Sequence, residues 1–546
     1  MTPNLPDDIL HLLCEELALQ ECFDTLFNCA CASRALAVPA LTHLYRSHHL
    51  APVKGGGDDE GGSIGMKQVI VQRWAILWRS IIASSLDDTL FPYCRYIKAL
   101  DLRDLMELLD DVHFKGKVVK YFFSGTLSKL NKTLNVTYPS GKKHTRLDNV
   151  AIIDAVGEVV TQCTPMLETI SGQLVSDALV RWAPRLPRLQ TLELFNGSPL
   201  EDELVHTSIK KHCPQFNFLS IFNWTAEDRD FKFSKFLSTI QPQSLRALET
   251  ITNVGAGAET FLALSNHSKS LKDLKLCVAM DTFPHLSLLR SCTSLEALRI
   301  EGDKSWTNLE KTQNDVFLDM MDWLSHCSSL RKLSFTSFVS AAALVAPVLL
   351  KDTIKLRTLH IDSYLAKDCQ LFHQALAHQR GTLHTLFLSA DTEGMFRDDV
   401  DTLVDSLKQL TELRDLHLAL VQEVLQDDHL ISIITSLTKL QELNLTGLEI
   451  KDGVLEAVGN LKNIREVTFS GISKFTTDGL FEFIHCLSLP GNQGIRVIVE
   501  MADPDTLLTD EEVALVRNTL YEKVGGTFDY TPWQDPNISE FEGDSD

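Results

Sequence analysis

The stretch LRDLHLALVQEVLQDDHLISIITSLTKLQELNL, residues 413–445, begins and ends on the same hexad, LRDLHL at Leu413 and LQELNL at Leu440. The last two leucines of each hexad stand two residues apart, so an extended backbone turns both to one side. Between the hexads, LISIITSLTKL carries apolar residues at spacings of three and four, the pattern of a helix with one buried face. A strand, a loop and a helix therefore fit into a single step along the chain. One such unit cannot bury its own apolar surface; a stack of them can.

The hexad recurs as LQTLEL at Leu189, LKDLKL at Leu271, LEALRI at Leu295, LRKLSF at Leu330, LRTLHI at Leu356, LHTLFL at Leu383 and IREVTF at Ile464. Weaker copies start at Ile97, Leu167, Phe216, Leu245 and Ile495. From Leu167 onward the intervals run between 22 and 35 residues, a period that marks a repeat architecture. The pattern resembles leucine-rich repeats, and the cysteines three residues ahead of several hexads (Cys213, Cys292, Cys327) resemble the cysteine-containing class. Gly197 and Leu448 stand where that class usually keeps Asn or Cys, so irregular loops are expected. The expected fold is α/β: a leucine-rich-repeat solenoid, a curved parallel sheet with outer helices, over residues 96–527.

A different grammar governs residues 4–48. Leu5-Pro6 followed by Asp7 and Asp8 is a helix start, since proline tolerates the first turn and acids complement the positive helix end. Ile9, Leu13 and Leu17 then repeat every four residues, with Leu10 and Leu12 beside them. A second helix is expected around Phe23, Leu26, Phe27 and Ala30, and a third after Pro39 with Leu41, Leu44 and Tyr45. Such a small helical domain buries little surface alone and usually needs a partner. Leu5 to Leu10, the LFNCA segment at Leu26–Ala30 and the LYR segment at Leu44–Arg46 together resemble an F-box. Ala32 and Ala35-Leu36 depart from that pattern. The resemblance implies a Skp-family adaptor as partner, and through it a cullin-RING ligase, with Leu5, Pro6, Ile9, Leu10 and Leu13 at the contact. The plainer alternative makes Ile9, Leu13 and Phe27 an ordinary helical core.

The remaining segments frame these two parts. Residues 54–66 hold six glycines and read as a flexible loop. Residues 70–95 read as a helical cap, with Trp74, Leu77, Trp78, Ile81 and Ile82 on one stripe. An insertion at about 103–165 carries a lysine-rich stretch, Phe114–Arg146, with Pro139-Ser140-Gly141 as a turn. Residues 528–546, with six acids and no base, read as a disordered tail.

Composition narrows the function. With 51 basic and 73 acidic residues the net charge is -22, which argues against nucleic acid or an anionic membrane as the main partner. Twelve dispersed cysteines and the absence of a signal-peptide pattern point to an intracellular protein, cytoplasmic or nuclear. No nucleophile elbow, phosphate loop or zinc motif is present, so neither enzyme chemistry nor a metal or cofactor is expected. The glycines of NVGAGAET (253–260) read as a repeat loop, and His48-His49 near Cys29 and Cys31 fit no standard zinc spacing.

What stacked strands offer is a face. The residue between the last two apolar positions of each hexad should lie on it: Glu193, Ser220, Glu249, Lys275, Arg299, Ser334, His360, Phe387, His417, Asn444 and Thr468. Lys275, Arg299, His360, Phe387 and His417 are the expected contacts to a substrate protein. The function that the F-box and leucine-rich-repeat resemblance implies is the substrate-recognition subunit of an SCF-type ubiquitin ligase. A scaffold that uses the repeats alone is the alternative.

Overall fold

Each hexad becomes a strand, because its alternating leucines find the same row of leucines in the next unit. The computed structural model describes residues 5–50, 64–137, 143–302, 308–367, 369–393, 395–421, 425–446 and 450–533. Two compact units divide the chain, Met1–Ser270 and Leu271–Asp546.

The first unit opens with three helices, α1 (Asp7–Leu19), α2 (Phe23–Ala32) and α3 (Arg34–Arg46), packed on one another. Their core is Cys14, Ala18, Phe23, Leu26 and Ala40. The third helix was expected after Pro39; instead Pro39 lies inside α3, which starts at Arg34 with the Ser33 hydroxyl accepting the Ala35 N–H. A proline in the second turn of a helix forfeits only one backbone bond, and here the ring is buried.

Helix α4 (Ile64–Ser85) follows, so the tail of the expected glycine loop at 54–66 is helical from Ile64; residues 54–63 lie outside the described residues. Trp74, Trp78, Ile81 and Ile82 of α4 are buried. Both indole N–H groups donate to Asp104 Oδ2, at 2.7 and 2.6 Å. Tyr45 ties α3 to α4 through a 2.8 Å bond to the Ser80 hydroxyl and stacks on Tyr93 at 4.4 Å.

The parallel sheet of this unit runs β1 (Ala99–Asp101), β4 (Thr169–Gly172), β5 (Thr191–Asn196), β6 (Phe218–Asn223), β7 (Ala247–Thr250). Between β1 and β4 the insertion forms α5 (Leu102–Asp110), α6 (Lys117–Phe122), an antiparallel pair β2 (Thr133–Thr137) and β3 (Lys143–Leu147), and α7 (Asn149–Cys163). The turn expected at Pro139-Ser140-Gly141 falls outside the described residues.

In the second unit the parallel order is β8 (Asp273–Val278), β9 (Ala297–Gly302), β10 (Lys332–Thr336), β11 (Thr358–Leu365), β12 (Thr385–Asp391), β13 (Asp415–Val421) and β14 (Glu442–Thr446). It continues through β16 (Glu466–Lys474), β17 (Arg496–Ala502) and β18 (Thr527–Pro532), with the short β15 (Ile450–Lys451) against β16. The strands run in register. Leu274, Leu298, Leu333, Leu359, Leu386, Leu416, Leu443, Val467, Val497 and Phe528 form one buried row. Each such side chain contributes roughly 1.5–3 kcal/mol when removed from water, so the row is the spine of the unit. A helix follows nearly every strand, such as Asn314–His326, Arg397–Lys408 and Asp427–Ser436, and closes this core from one side. The architecture is a leucine-rich-repeat α/β fold.

The expected tail at 528–546 begins too early. Phe528 is buried and β18 extends the ladder through Pro532; only residues 534–546 lie outside the described part.

Buried polar side chains close several helix-to-strand turns. Gln379 donates to the carbonyls of Leu349 (2.7 Å) and Ile354 (3.2 Å) and accepts the Leu356 N–H at 3.1 Å. Asn492 does the same for Leu461, Ile464 and Ser488, and His267 for Leu237 and Leu245. Cys213, Cys292 and Cys327 sit in equivalent turns as buried thiols, and burial pushes them up to about 12, 11 and 12. They are apolar fillers rather than nucleophiles.

Candidate functional site

Helix α1 has two apolar sides. At 100° per residue, Leu10, Cys14 and Ala18 fall on one side and are buried. Ile9, Leu12 and Leu13 fall on the other and are exposed by 38, 58 and 50%, and Leu5, just before the helix, by 55%. Phe27 on α2 is also exposed, by 60%. The expected contact set is thus divided: Leu5, Pro6, Ile9 and Leu13 are open to solvent, whereas Leu10 turns inward and is removed from the set. The plainer alternative fails for Ile9, Leu13 and Phe27, none of which enters the bundle core. Leu12, beside the stripe in sequence but outside the expected contact set, lies three residues after Ile9 and shares its exposed side.

The second site is the sheet face opposite the leucine row in the Leu271–Asp546 unit. The register places Lys275, Arg299, Ser334, His360, Phe387, His417, Asn444 and Thr468 side by side, one per strand. All five expected substrate contacts therefore share one row. His360 and Phe387 stack with centroids 3.9 Å apart and planes 5° from parallel. Phe387 meets His417 at 4.2 Å and 37°. Burial in this stack lowers the His360 pKa, helped by Arg299 and His417 and opposed by Asp362; burial alone lowers that of His417. Both rings are thereby biased to the neutral form that stacks. The Oδ1 of Asn444, next in the row, is buried with no hydrogen-bond partner among the described residues.

Two residues earlier on each strand lies a parallel row: Asp273, Ala297, Lys332, Thr358, Thr385, Asp415, Glu442 and Glu466. Asp273 is raised by burial and pulled down by Arg299 and Lys332. Glu442 is raised by burial and then by Asp415 and Glu466, with Arg465 opposing.

On the first unit's sheet the corresponding row reads Glu193, Ser220, Glu249. Arg103 bridges Glu193 at 2.8 Å and Asp101 at 3.3 Å. Phe195 and Phe222 stack beside them at 5.0 Å and 9°, each more than 40% exposed.

The motifs considered for chemistry have structural uses. In the glycine-rich loop, the N–H groups of Gly257, Glu259 and Thr260 are taken by the Asp230 carboxylate at 2.8–3.0 Å, so the helix start holds its own acid. His48 is buried against the Tyr45 carbonyl, and burial lowers it to about 4. Among the described residues no His, Cys, Asp or Glu cluster could hold a metal ion, and no helix is long and apolar enough to cross a membrane.

No family model and no curated protein matches the chain. Among solved structures it is similar to a chain of the yeast Rad7–Elc1 complex, at 15% identity over 61% of this chain and 78% of that one, with a TM-score of 0.33. An internalin from Listeria monocytogenes gives 15% identity over 60% and 79%, TM-score 0.33. The Toll–Spätzle complex of Drosophila gives 12% over 69% and 42%, TM-score 0.28.

Proposed function

We propose that the chain is the substrate-recognition subunit of an SCF-type ubiquitin ligase. In this reading the N-terminal helices dock a Skp-family adaptor, and through it a cullin-RING ligase, while the repeat face holds a substrate protein. The observation that carries it is the outer side of α1: Leu5, Ile9, Leu12 and Leu13 stay in water although the bundle has its own core. Leaving several large apolar side chains wet on one short helix is costly unless a partner covers them. The chain does no chemistry itself; holding a substrate lysine near a recruited conjugating enzyme supplies the rate. The reading places it inside the cell, in cytoplasm or nucleus, with no cofactor.

The scaffold alternative draws on one observation, the fastening of α3 to α4 through Tyr45, Ser80 and Tyr93, which suits a structural cap. Co-purification with a recombinant Skp adaptor separates the two. Capture by the full chain and loss in a Leu5→Ala, Pro6→Ala, Ile9→Ala variant supports the ligase subunit. No capture by the full chain leaves the scaffold.

A further inference from the structure

The two rows on the open face of the Leu271–Asp546 unit are ordered by charge. Lys275 and Arg299 occupy β8 and β9, and Lys332 joins them from β10. Asp273 and Glu301 lie among them, so β8 to β10 carry three cations against two acids on this face, and Asp362 follows on β11 beside His360. Arg299 and Lys332 both act on the Asp273 carboxylate and draw its raised pKa down. Three strands further on, Asp415, Glu442 and Glu466 stand adjacent on β13, β14 and β16. The Thr385 hydroxyl donates to Asp415 at 2.7 Å. Arg465 acts on Glu442, and Arg496 is opposite Glu466 but also within 3.8 Å of Asp529, so the acidic trio is only partly compensated. Between the two charged groups stands the His360–Phe387–His417 stack.

We propose that this face binds an extended peptide segment whose side chains run acid, aromatic, base. Its acid sits over Lys275, Arg299 and Lys332, its aromatic over Phe387, and its base over Asp415, Glu442 and Glu466. The inference rests on reading this face as the substrate site and supplies the substrate class. Strands are spaced about 4.8 Å apart, so Arg299 on β9 and Phe387 on β12 are separated by about 14 Å. Glu442, two strands past Phe387, is about 10 Å away by the same spacing. At roughly 3.3 Å per extended residue, acid and aromatic stand about four residues apart, and aromatic and base about three. Rings stacked along the row show their edges to solvent, and an aromatic of the segment lies face-down on those edges, the arrangement that ring quadrupoles favour. Neutral histidines keep the platform from repelling the base beyond it. The charged ends add direction: a reversed segment puts like charge on like charge at both ends.

The test is selection of a random peptide display library on the purified full chain, followed by fluorescence anisotropy with a selected peptide and its reversed-sequence counterpart. Enrichment of the acid–aromatic–base order, and at least tenfold weaker binding of the reversed peptide, supports the inference. A Lys275→Glu, Arg299→Glu, Glu442→Lys, Glu466→Lys variant with an unchanged circular-dichroism melt should then prefer the reversed peptide. If that variant does not fold, Arg299→Glu alone should weaken the selected peptide about tenfold at low salt and much less at 0.5 M. No enrichment of the order, or no response to these charge changes, overturns it. Adaptor capture is read separately. A chain that captures the adaptor but shows no peptide order sinks only this inference; one that orders peptides without capturing the adaptor sinks only the ligase role.

Discussion

Replacing Phe387 with alanine tests the stack and the histidine electrostatics together. Phe387 is half-buried, with one ring at 3.9 Å and another at 4.2 Å. Two aromatic contacts at about 0.5–1.5 kcal/mol each, and loss of about half of a phenyl burial, put the cost at about 2–4 kcal/mol. The same change lets water reach His360 and His417. Burial is the first cause of the lowered pKa at both, so both should rise toward the ordinary imidazole value. The sign for stability follows. In the native protein these rings bind protons less readily than in the unfolded chain, so their contribution is complete above the unfolded pKa and shrinks as pH falls below about 6.5. Phe387→Ala should lower stability at pH 7.5 and also reduce this loss on acidification. Urea titration read by hydrogen exchange of peptides covering 385–421 gives the first quantity. Imidazole proton NMR, assigned with His360→Gln and His417→Gln, gives the second. Unchanged titration in the variant would refute burial by the stack as the cause, and a stability change under about 0.5 kcal/mol would refute the stack as a stabilising contact.

Other expectations follow from particular contacts. Gln379→Leu leaves two carbonyls and one N–H without their partner, so it should cost about 2–4 kcal/mol, measured by urea unfolding. Its failure to destabilise would mean that water replaces the amide. Burial holds His48 and His373 at about 4. Stability should therefore fall as pH drops from about 6.5 toward 4, by up to about 3 kcal/mol for each ring. Urea midpoints across that range check this, and His373→Phe should flatten the slope. Leu26→Ala, in the core of the N-terminal bundle, should cost about 2–4 kcal/mol, whereas Leu13→Asp on its outer side should leave the melt within about 1 °C.

The repeat was legible because a period of two inside each hexad and a period near 27 between them are both imposed by the same leucine row. The last strand was not, since GGTFDYTP keeps only Phe528 and Tyr530 of the hexad and runs straight into an acidic segment. Leu10 is grouped with the outer residues by sequence because α1 carries two apolar stripes and the sequence alone does not say which is buried; in the structure Leu10, Cys14 and Ala18 are the buried ones. The column from Lys275 to His417 follows from register alone, so it could be written down in advance. The stacking of His360 on Phe387 could not, because it depends on ring rotation. Gln379, Asn492 and His267 carry no sequence signal of their turn-closing role, as each substitutes a different side chain for the same backbone need.

The proposed role stands or falls on the outer side of α1 as a docking surface. Calorimetric titration of the purified full chain with a Skp-family adaptor, beside Leu13→Asp and Leu12→Asp variants of unchanged melting temperature, tests it most directly. The wild type should show saturable one-to-one binding that weakens at least 100-fold in either variant. Equal binding by wild type and variants, or no heat of binding from the wild type, would contradict it.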